Sequence, residues 1–116
     1  MNITVIGTGY VGLVTGACFS ELGHQVTCID QNPNRVDMIN SGRAPFFEPN
    51  LDELVKRGAQ SGNLAARHSL KKSAPETDIT FIAVGTPTSG GEIDLSQVIK
   101  ATRELGTTLC NKSDTH

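Results

Sequence analysis

The string Gly7-Thr8-Gly9-Tyr10-Val11-Gly12 constrains this chain more than any other feature, because of what stands on either side of it. Before it, Asn2 to Ile6 reads NITVI, a short β-branched run that stops at glycine, as a buried parallel strand does. After it, Val11 to Leu22 has helical spacing, with Val11, Val14, Cys18 and Leu22 expected on one inward stripe. The small residues Gly12, Gly16 and Ala17 let that helix lie close to a sheet, and Gly23 suits the position just past its end. A G-x-G-x-x-G string is weak evidence alone, since glycine is common; between a strand and a helix it has a mechanism. Gly7 permits the tight turn, Gly9 removes a side chain where a pyrophosphate approaches the backbone, and Gly12 allows close helix–strand packing. The free N–H groups from Gly9 to Gly12, with the helix dipole, then face the phosphates.

A second strand, Gln25 to Ile29, ends at Asp30, about 20 residues beyond the glycines, where the fingerprint expects an acid. A carboxylate there accepts hydrogen bonds from the adenosine ribose hydroxyls and repels a 2′-phosphate, so the expected cofactor is NAD rather than NADP. Arg35 reads two ways, as a solvated surface arginine or as a group stacking near the adenine or contacting the ribose. The plain alternative is a glycine turn followed by an ordinary solvated acid; strand, turn, helix, strand and acid in register weigh against it.

The rest of the chain continues the alternation. Asn32-Pro33 is an N-cap residue followed by proline at the first helical position, Val36, Ile39 and Met38 face inward, and Gly42 stops that helix. Another helix is expected from Asn50, with Leu51, Leu54 and Val55 apolar and Glu53 at a capping-box position, ending between Gly58 and Gly62. Glu48-Pro49 before it is read as structural, closing the loop or capping the helix. Leu64 to Ala66 reads as a short strand, Ser69 to Ala74 as one or two helical turns, and Ile79 to Val84 as the clearest strand. Gly85 to Asp94 is a loop; Asp94 then caps a last helix with Leu95, Val98, Ile99, Thr102 and Leu105 inward and Gln97 completing a box-like start. The tail Asn111 to His116 is polar, and His116 looks like a disordered end.

Strands alternating with helices predict parallel strands and right-handed crossovers, hence an α/β, doubly wound Rossmann-type sheet of about four strands. With strand order 3-2-1-4, the first and fourth strands flank the switch in order, beyond whose carboxyl ends ligands bind. The loop Gly85-Thr86-Pro87 therefore comes up beside the glycine loop. Thr86 presents its hydroxyl and N–H to the pyrophosphate or nearer ribose, or else caps its own turn; Pro87 fixes the loop.

Several classes are disfavoured. With 116 residues, 37% hydrophobic and 19% charged, the chain supports one soluble globular domain. A net charge of −2 gives no argument for nucleic acid or an anionic membrane, and Lys71-Lys72 reads as a solvated helix face. No apolar run approaches the ~20 residues of a membrane span, and the amino-terminal apolar stretch, broken by glycines and lacking a basic lead, is unlike a signal peptide. Cys18, Cys28 and Cys110 form no C-x-x-C pair and are read as reduced, in a cytoplasmic protein, with Cys18 and Cys28 in the core and Cys110 exposed. His24, His68 and His116 lie far apart with no ligand spacing, so no metal site is expected, and no Ser-His-Asp or Cys-His set is visible.

Taken together, ITVIGTGYVGL, Asp30, the segment Phe47-Glu48-Pro49-Asn50-Leu51 and FIAVGTP resemble the amino-terminal end of the UDP-glucose and GDP-mannose dehydrogenases, over nearly the whole chain and closer to the UDP-glucose enzymes. Asn50 departs from the pattern, standing where glycine is usual. The resemblance implies an enzyme that oxidises the C6 alcohol of a nucleotide sugar to a carboxylate with two NAD+, through an intermediate held on a cysteine. Tyr10 and Val11 would contact the pyrophosphate through the backbone, Asp30 and Arg35 the adenosine ribose, and Thr86 the cofactor. It also implies that the catalytic residues, the central helix and the substrate-binding domain lie beyond residue 116, that none of the three cysteines is the nucleophile, and that the complete enzyme is a homo-oligomer. GDP-mannose or an N-acetylated UDP-sugar is the alternative substrate, and a stand-alone NAD-sensing regulatory module the alternative class.

Overall fold

Four parallel strands form the sheet, and their order sets the two glycine-bearing loops side by side. The computed structural model describes residues 1–116 as β1 (Asn2–Ile6), α1 (Tyr10–Glu21), β2 (Gln25–Ile29), α2 (Pro33–Asn40), α3 (Leu51–Ser61), β3 (Leu64–Arg67), two single-turn 3₁₀ helices (Leu70–Lys72 and Ala74–Glu76), β4 (Ile79–Ile82), the two-residue strands β5 (Thr88–Ser89) and β6 (Glu92–Ile93), and α4 (Ser96–Leu109). The sheet order is β3-β2-β1-β4, all parallel, with Ile3 between Val26 and Ile79 and Ile6 between Ile29 and Ile82. The architecture is the expected α/β Rossmann-type parallel sheet.

Alternation along each strand divides the apolar residues between two cores. On one face Ile3, Val5, Val26 and Cys28 pack with Leu13 and Ala17 of α1, Val36 and Ile39 of α2, and Leu51 and Val55 of α3. On the other, Ile6 and Ile29 pack with Leu70, Ala74 and Ala101. Asn32 caps α2 as its position suggested, its side chain accepting from the N–H groups of Asn34 and Arg35 at 3.0 and 3.4 Å. At the far end of the same helix, Asn40 pairs with the outer edge of β3: its Oδ1 accepts from Ala66 N–H at 2.8 Å and its Nδ2 donates to Ala66 C=O at 3.0 Å.

Several expectations are corrected. The buried face of α1 is Gly12, Leu13, Gly16, Ala17 and Ser20, while Val11 and Leu22 are 67% and 74% exposed and Cys18 is exposed. Both stripes have helical spacing; the one with small residues wins because the helix lies so close to the sheet that a Cβ on Gly16 would stand 3.0 Å from Cys28 Sγ. The capping box before α3 does not form. Asn50 makes no side-chain cap and instead adopts φ 67°, a left-handed conformation that asparagine tolerates better than most residues. That conformation explains why glycine suits this position. β4 stops at Ile82, two residues short of the expected Val84.

The loop after it contains a hairpin, β5 paired antiparallel to β6 through Gly90 and Gly91 at φ 60° and 83°, the two positive values a type I′ turn requires. Asp94 lies one residue before the cap of α4 and accepts from Ser96 N–H at 2.9 Å. The inward residues of α4 are Ala101, Leu105 and Leu109, and Leu95 and Ile99 remain about half exposed. His116, expected to be disordered, pairs with Thr80 of β4 at 2.8 Å, and Lys112 Nζ donates to the Thr77 carbonyl.

Candidate functional site

The turn from β1 into α1 is built by sterics. Gly7 has φ 101°, and a Cβ there would lie 2.5 Å from the Ala83 carbonyl oxygen. A Cβ on Gly12 would lie 1.9 Å from the Gly7 carbonyl oxygen and 3.3 Å from Ala83 Cβ, so α1 sits against the turn and the end of β4. Gly9 differs: at φ −72° it needs no glycine conformation, and a Cβ would meet nothing within 4 Å. Its missing side chain leaves open space where Gly9 lines a groove. Gly9 is also the N-cap of α1, offers no side-chain acceptor, and is followed by no acidic residue in the first turn. The first N–H groups of α1 thus have no intrahelical partner, and the helix places no carboxylate of its own first turn beside them.

Asp30, at the end of β2, is fastened to this turn. Its Oδ2 accepts from both the N–H and the hydroxyl of Thr8, at 3.1 and 2.5 Å, and its Oδ1 accepts from Asn32 N–H at 2.8 Å. Arg35 Nη1 donates to the Thr8 carbonyl at 3.0 Å. Partial burial pushes the Asp30 carboxyl up; the Thr8 hydroxyl, the N–H groups of Asn32 and Thr8, and the Arg35 charge outweigh it and hold the group below its ordinary value. Asp30 is therefore an anion at neutral pH, and Arg35 is tied to the glycine turn rather than free in solvent.

These residues line one groove of about 1250 Å³ running along the carboxyl ends of the strands. Gly7, Thr8, Gly9, Tyr10, Val11, Asp30, Arg35, Gly85 and Thr86 all border it. Two of the ten residues expected at the site do not. Gly12 packs beneath the turn, and the Pro87 carbonyl accepts from Asp94 N–H at 2.7 Å, holding the base of the β5–β6 hairpin. The opposite wall is His68 to Lys71 after β3, with Gln97, Lys100, Ala101 and Glu104 on α4. Sequence reasoning missed this wall, since only the packing of α4 across the sheet brings it over the turn. It also passed over Thr8, for which a hydroxyl between two fingerprint glycines was the available signal.

The segment before α3 reaches the same place. The Glu48 carboxylate lies beside the Tyr10 phenol and pushes it up from its ordinary value, and the Phe46 ring stands 6.1 Å from that of Tyr10. Glu48 and the glycine turn are thus neighbours. The side chains of His24, His68 and His116 form no cluster with cysteines or carboxylates that could hold a metal ion, and no helix is long and apolar enough to cross a membrane.

Comparison with known proteins agrees with this geometry. The family model described as "UDP-glucose/GDP-mannose dehydrogenase family, NAD binding domain" matches residues 1–114. Among curated relatives, a UDP-glucose 6-dehydrogenase of Bacillus subtilis is 49% identical over 106 residues, covering 90% of this chain and 24% of the relative. A GDP-mannose 6-dehydrogenase of Pseudomonas aeruginosa is 38% identical over 117 residues, covering 100% of this chain and 27% of the relative. The crystal structure of a ternary complex of GDP-mannose dehydrogenase from Pseudomonas aeruginosa superposes with a TM-score of 0.98 at 38% identity, over the whole of this chain and 27% of that one. A UDP-glucose dehydrogenase from Pyrobaculum islandicum gives 0.89 at 40% identity, over 95% of this chain and 26% of that one. The chain spans about a quarter of the length of the curated relatives it matches.

Proposed function

This chain belongs to the UDP-glucose/GDP-mannose dehydrogenase family by its NAD-binding domain, and from that premise we propose that it holds the adenosine half of NAD for the oxidation of a nucleotide sugar. One observation supports the reading above all others: the open backbone at Gly9 and the anchored Asp30 carboxylate border the same groove, as a diphosphate and its neighbouring ribose require. The N–H groups of Gly9, Tyr10 and Val11 take the pyrophosphate, with Gly7 and Gly12 shaping the turn. Asp30 accepts from the ribose hydroxyls, Arg35 steadies the turn and adds positive charge at the ribose end, and Gly85 and Thr86 carry the second loop past the diphosphate, with Pro87 fixing the base of the hairpin behind them. The cofactor supplies the hydride acceptor.

UDP-glucose is the substrate we favour, oxidised to UDP-glucuronate with two NAD+ for polysaccharide biosynthesis in the cytoplasm; what supports it is the 49% identity to a UDP-glucose enzyme against 38% to a GDP-mannose enzyme. The nucleophilic cysteine and the sugar-reading residues belong, on this proposal, to the remaining three quarters of a longer homo-oligomeric enzyme, so this chain alone produces no NADH from UDP-glucose. Titration with ADP-ribose tests the binding: the chain binds it, and Asp30→Ala weakens it by about tenfold or more, the range expected on losing hydrogen bonds to a charged acceptor. Undiminished binding in Asp30→Ala, or NADH formation by the 116-residue chain, refutes the respective part.

A further inference from the structure

We infer that Thr8 is a positioning residue that aims the Asp30 carboxylate and so sets the preference for a free ribose over a 2′-phosphorylated one. The inference rests on the NAD-binding reading above. Thr8 is fully buried, although it is polar and sits in a turn that borders a groove. Both of its donors go to the same oxygen, Asp30 Oδ2, while Oδ1 takes only the N–H of Asn32. With Oδ2 filled by two donors, the acceptor capacity left for a ribose hydroxyl is on Oδ1. The Thr8 carbonyl meanwhile binds Arg35 Nη1. One residue therefore holds the acid through its N–H and hydroxyl and the nearby cation through its C=O.

The backbone contacts do not depend on the side chain and remain in Thr8→Val; the hydroxyl bond is lost. Without it the carboxylate keeps one backbone donor on each oxygen, the Thr8 N–H on Oδ2 and the Asn32 N–H on Oδ1, and loses its shortest bond, so it is held less firmly about its last torsion. Such an acid presents its charge less sharply against an incoming 2′-phosphate, and Arg35, which lines the same groove, is the cation left to attract that phosphate. Thr8→Val removes the hydroxyl and keeps the branched shape in the buried site. Thr8→Ser keeps the hydroxyl.

The test compares affinities for ADP-ribose and 2′-phospho-ADP-ribose in the wild-type chain, Thr8→Val, Thr8→Ser, Asp30→Ala and the Thr8→Val/Asp30→Ala pair, with thermal melts to show that each is folded. Thr8→Val is expected to weaken ADP-ribose binding about five- to tenfold and to narrow the ratio of the two affinities, as loss of a hydrogen bond to a charged group does. Thr8→Ser keeps both the affinity and the ratio. In the Asp30→Ala background Thr8→Val has no further effect, because its influence passes through that carboxylate. Should Thr8→Val melt, Thr8→Ala carries the same expectations. A hydroxyl-less variant that keeps wild-type affinity and ratio overturns the inference, as does an effect undiminished in the Asp30→Ala background. If the wild-type chain binds no ADP-ribose, the NAD-binding reading itself fails; if it binds and only Asp30→Ala loses affinity, this inference alone fails.

Discussion

A methyl group placed on Gly9 meets no atom within 4 Å, whereas one on Gly12 comes within 1.9 Å of the Gly7 carbonyl oxygen. The two glycines of one fingerprint thus separate a binding requirement from a folding requirement. Gly9→Ala is expected to leave stability within about 0.5 kcal/mol of wild type while weakening ADP-ribose binding, and Gly12→Ala to cost about 2–3 kcal/mol by overpacking. Urea denaturation and ligand titration on both variants check this; a destabilised Gly9→Ala, or a Gly12→Ala as stable as wild type, contradicts it. Asp30 makes a prediction with pH. Its native carboxyl is held below the ordinary value, so its contribution to stability is present above the unfolded pKa of about 3.9 and is lost as pH falls through the native value. The stability advantage of wild type over Asp30→Asn is therefore expected at neutral pH and to shrink in acid below about pH 4. Urea midpoints that differ by the same amount at both pH values would sink it.

At the scale of elements, α1 shows why apolar spacing did not choose a face. Its sequence YVGLVTGACFSE carries apolar residues all the way round, and two stripes are equally helical. Contact with the sheet selected Leu13, Gly16 and Ala17, because small residues permit the close approach that the glycine turn imposes. The cysteines report on this choice. Burial, with the Asp30 carboxylate adding to it, pushes the Cys28 thiol up to about 12, while Cys18 and Cys110 are exposed. Iodoacetamide at mildly alkaline pH is expected to modify Cys18 and Cys110 in the folded chain and Cys28 only after denaturation. Protection of Cys18 would return it to the core. Leu13, completely buried where Val11 is exposed, is expected to cost about 3–5 kcal/mol on truncation to alanine, read from the urea midpoint; a loss below about 1 kcal/mol would mean that the assigned face is wrong.

For the whole molecule, the two sheet edges are treated differently. The outer edge of β3 has its Ala66 backbone groups occupied by Asn40, which leaves less of it open to a foreign strand. β4 pairs only with β1, and on its other side meets the His116 side chain at Thr80. Ile79 and Ile82 of β4, with Leu95 at the cap of α4 and Ile99 within it, remain exposed around that edge. The isolated chain is therefore expected to self-associate as its concentration rises, and Ile82→Lys to reduce that association. Sedimentation velocity over a concentration series decides it: a monomer throughout, or a variant that associates as strongly as wild type, removes the edge from the account.

The strand–glycine–helix pattern, the acid at the end of β2, the proline and asparagine that open α2, and the alternation that makes a parallel sheet are all local, and each could be read from neighbouring residues alone. So could the expectation that the loop after β4 rises beside the glycine turn, since it follows from strand order. What the tertiary structure decided is everything that depends on which surface meets which: the buried face of α1, the wall that α4 and the segment after β3 raise across the groove, the left-handed Asn50, and the Thr8–Asp30–Arg35 linkage between residues 22 and 27 positions apart. Spacing along a chain records what repeats with a helix or a strand. It does not record how near two elements come, and in this protein that distance chose between faces of equal apolar spacing and brought the carboxylate to the hydroxyl.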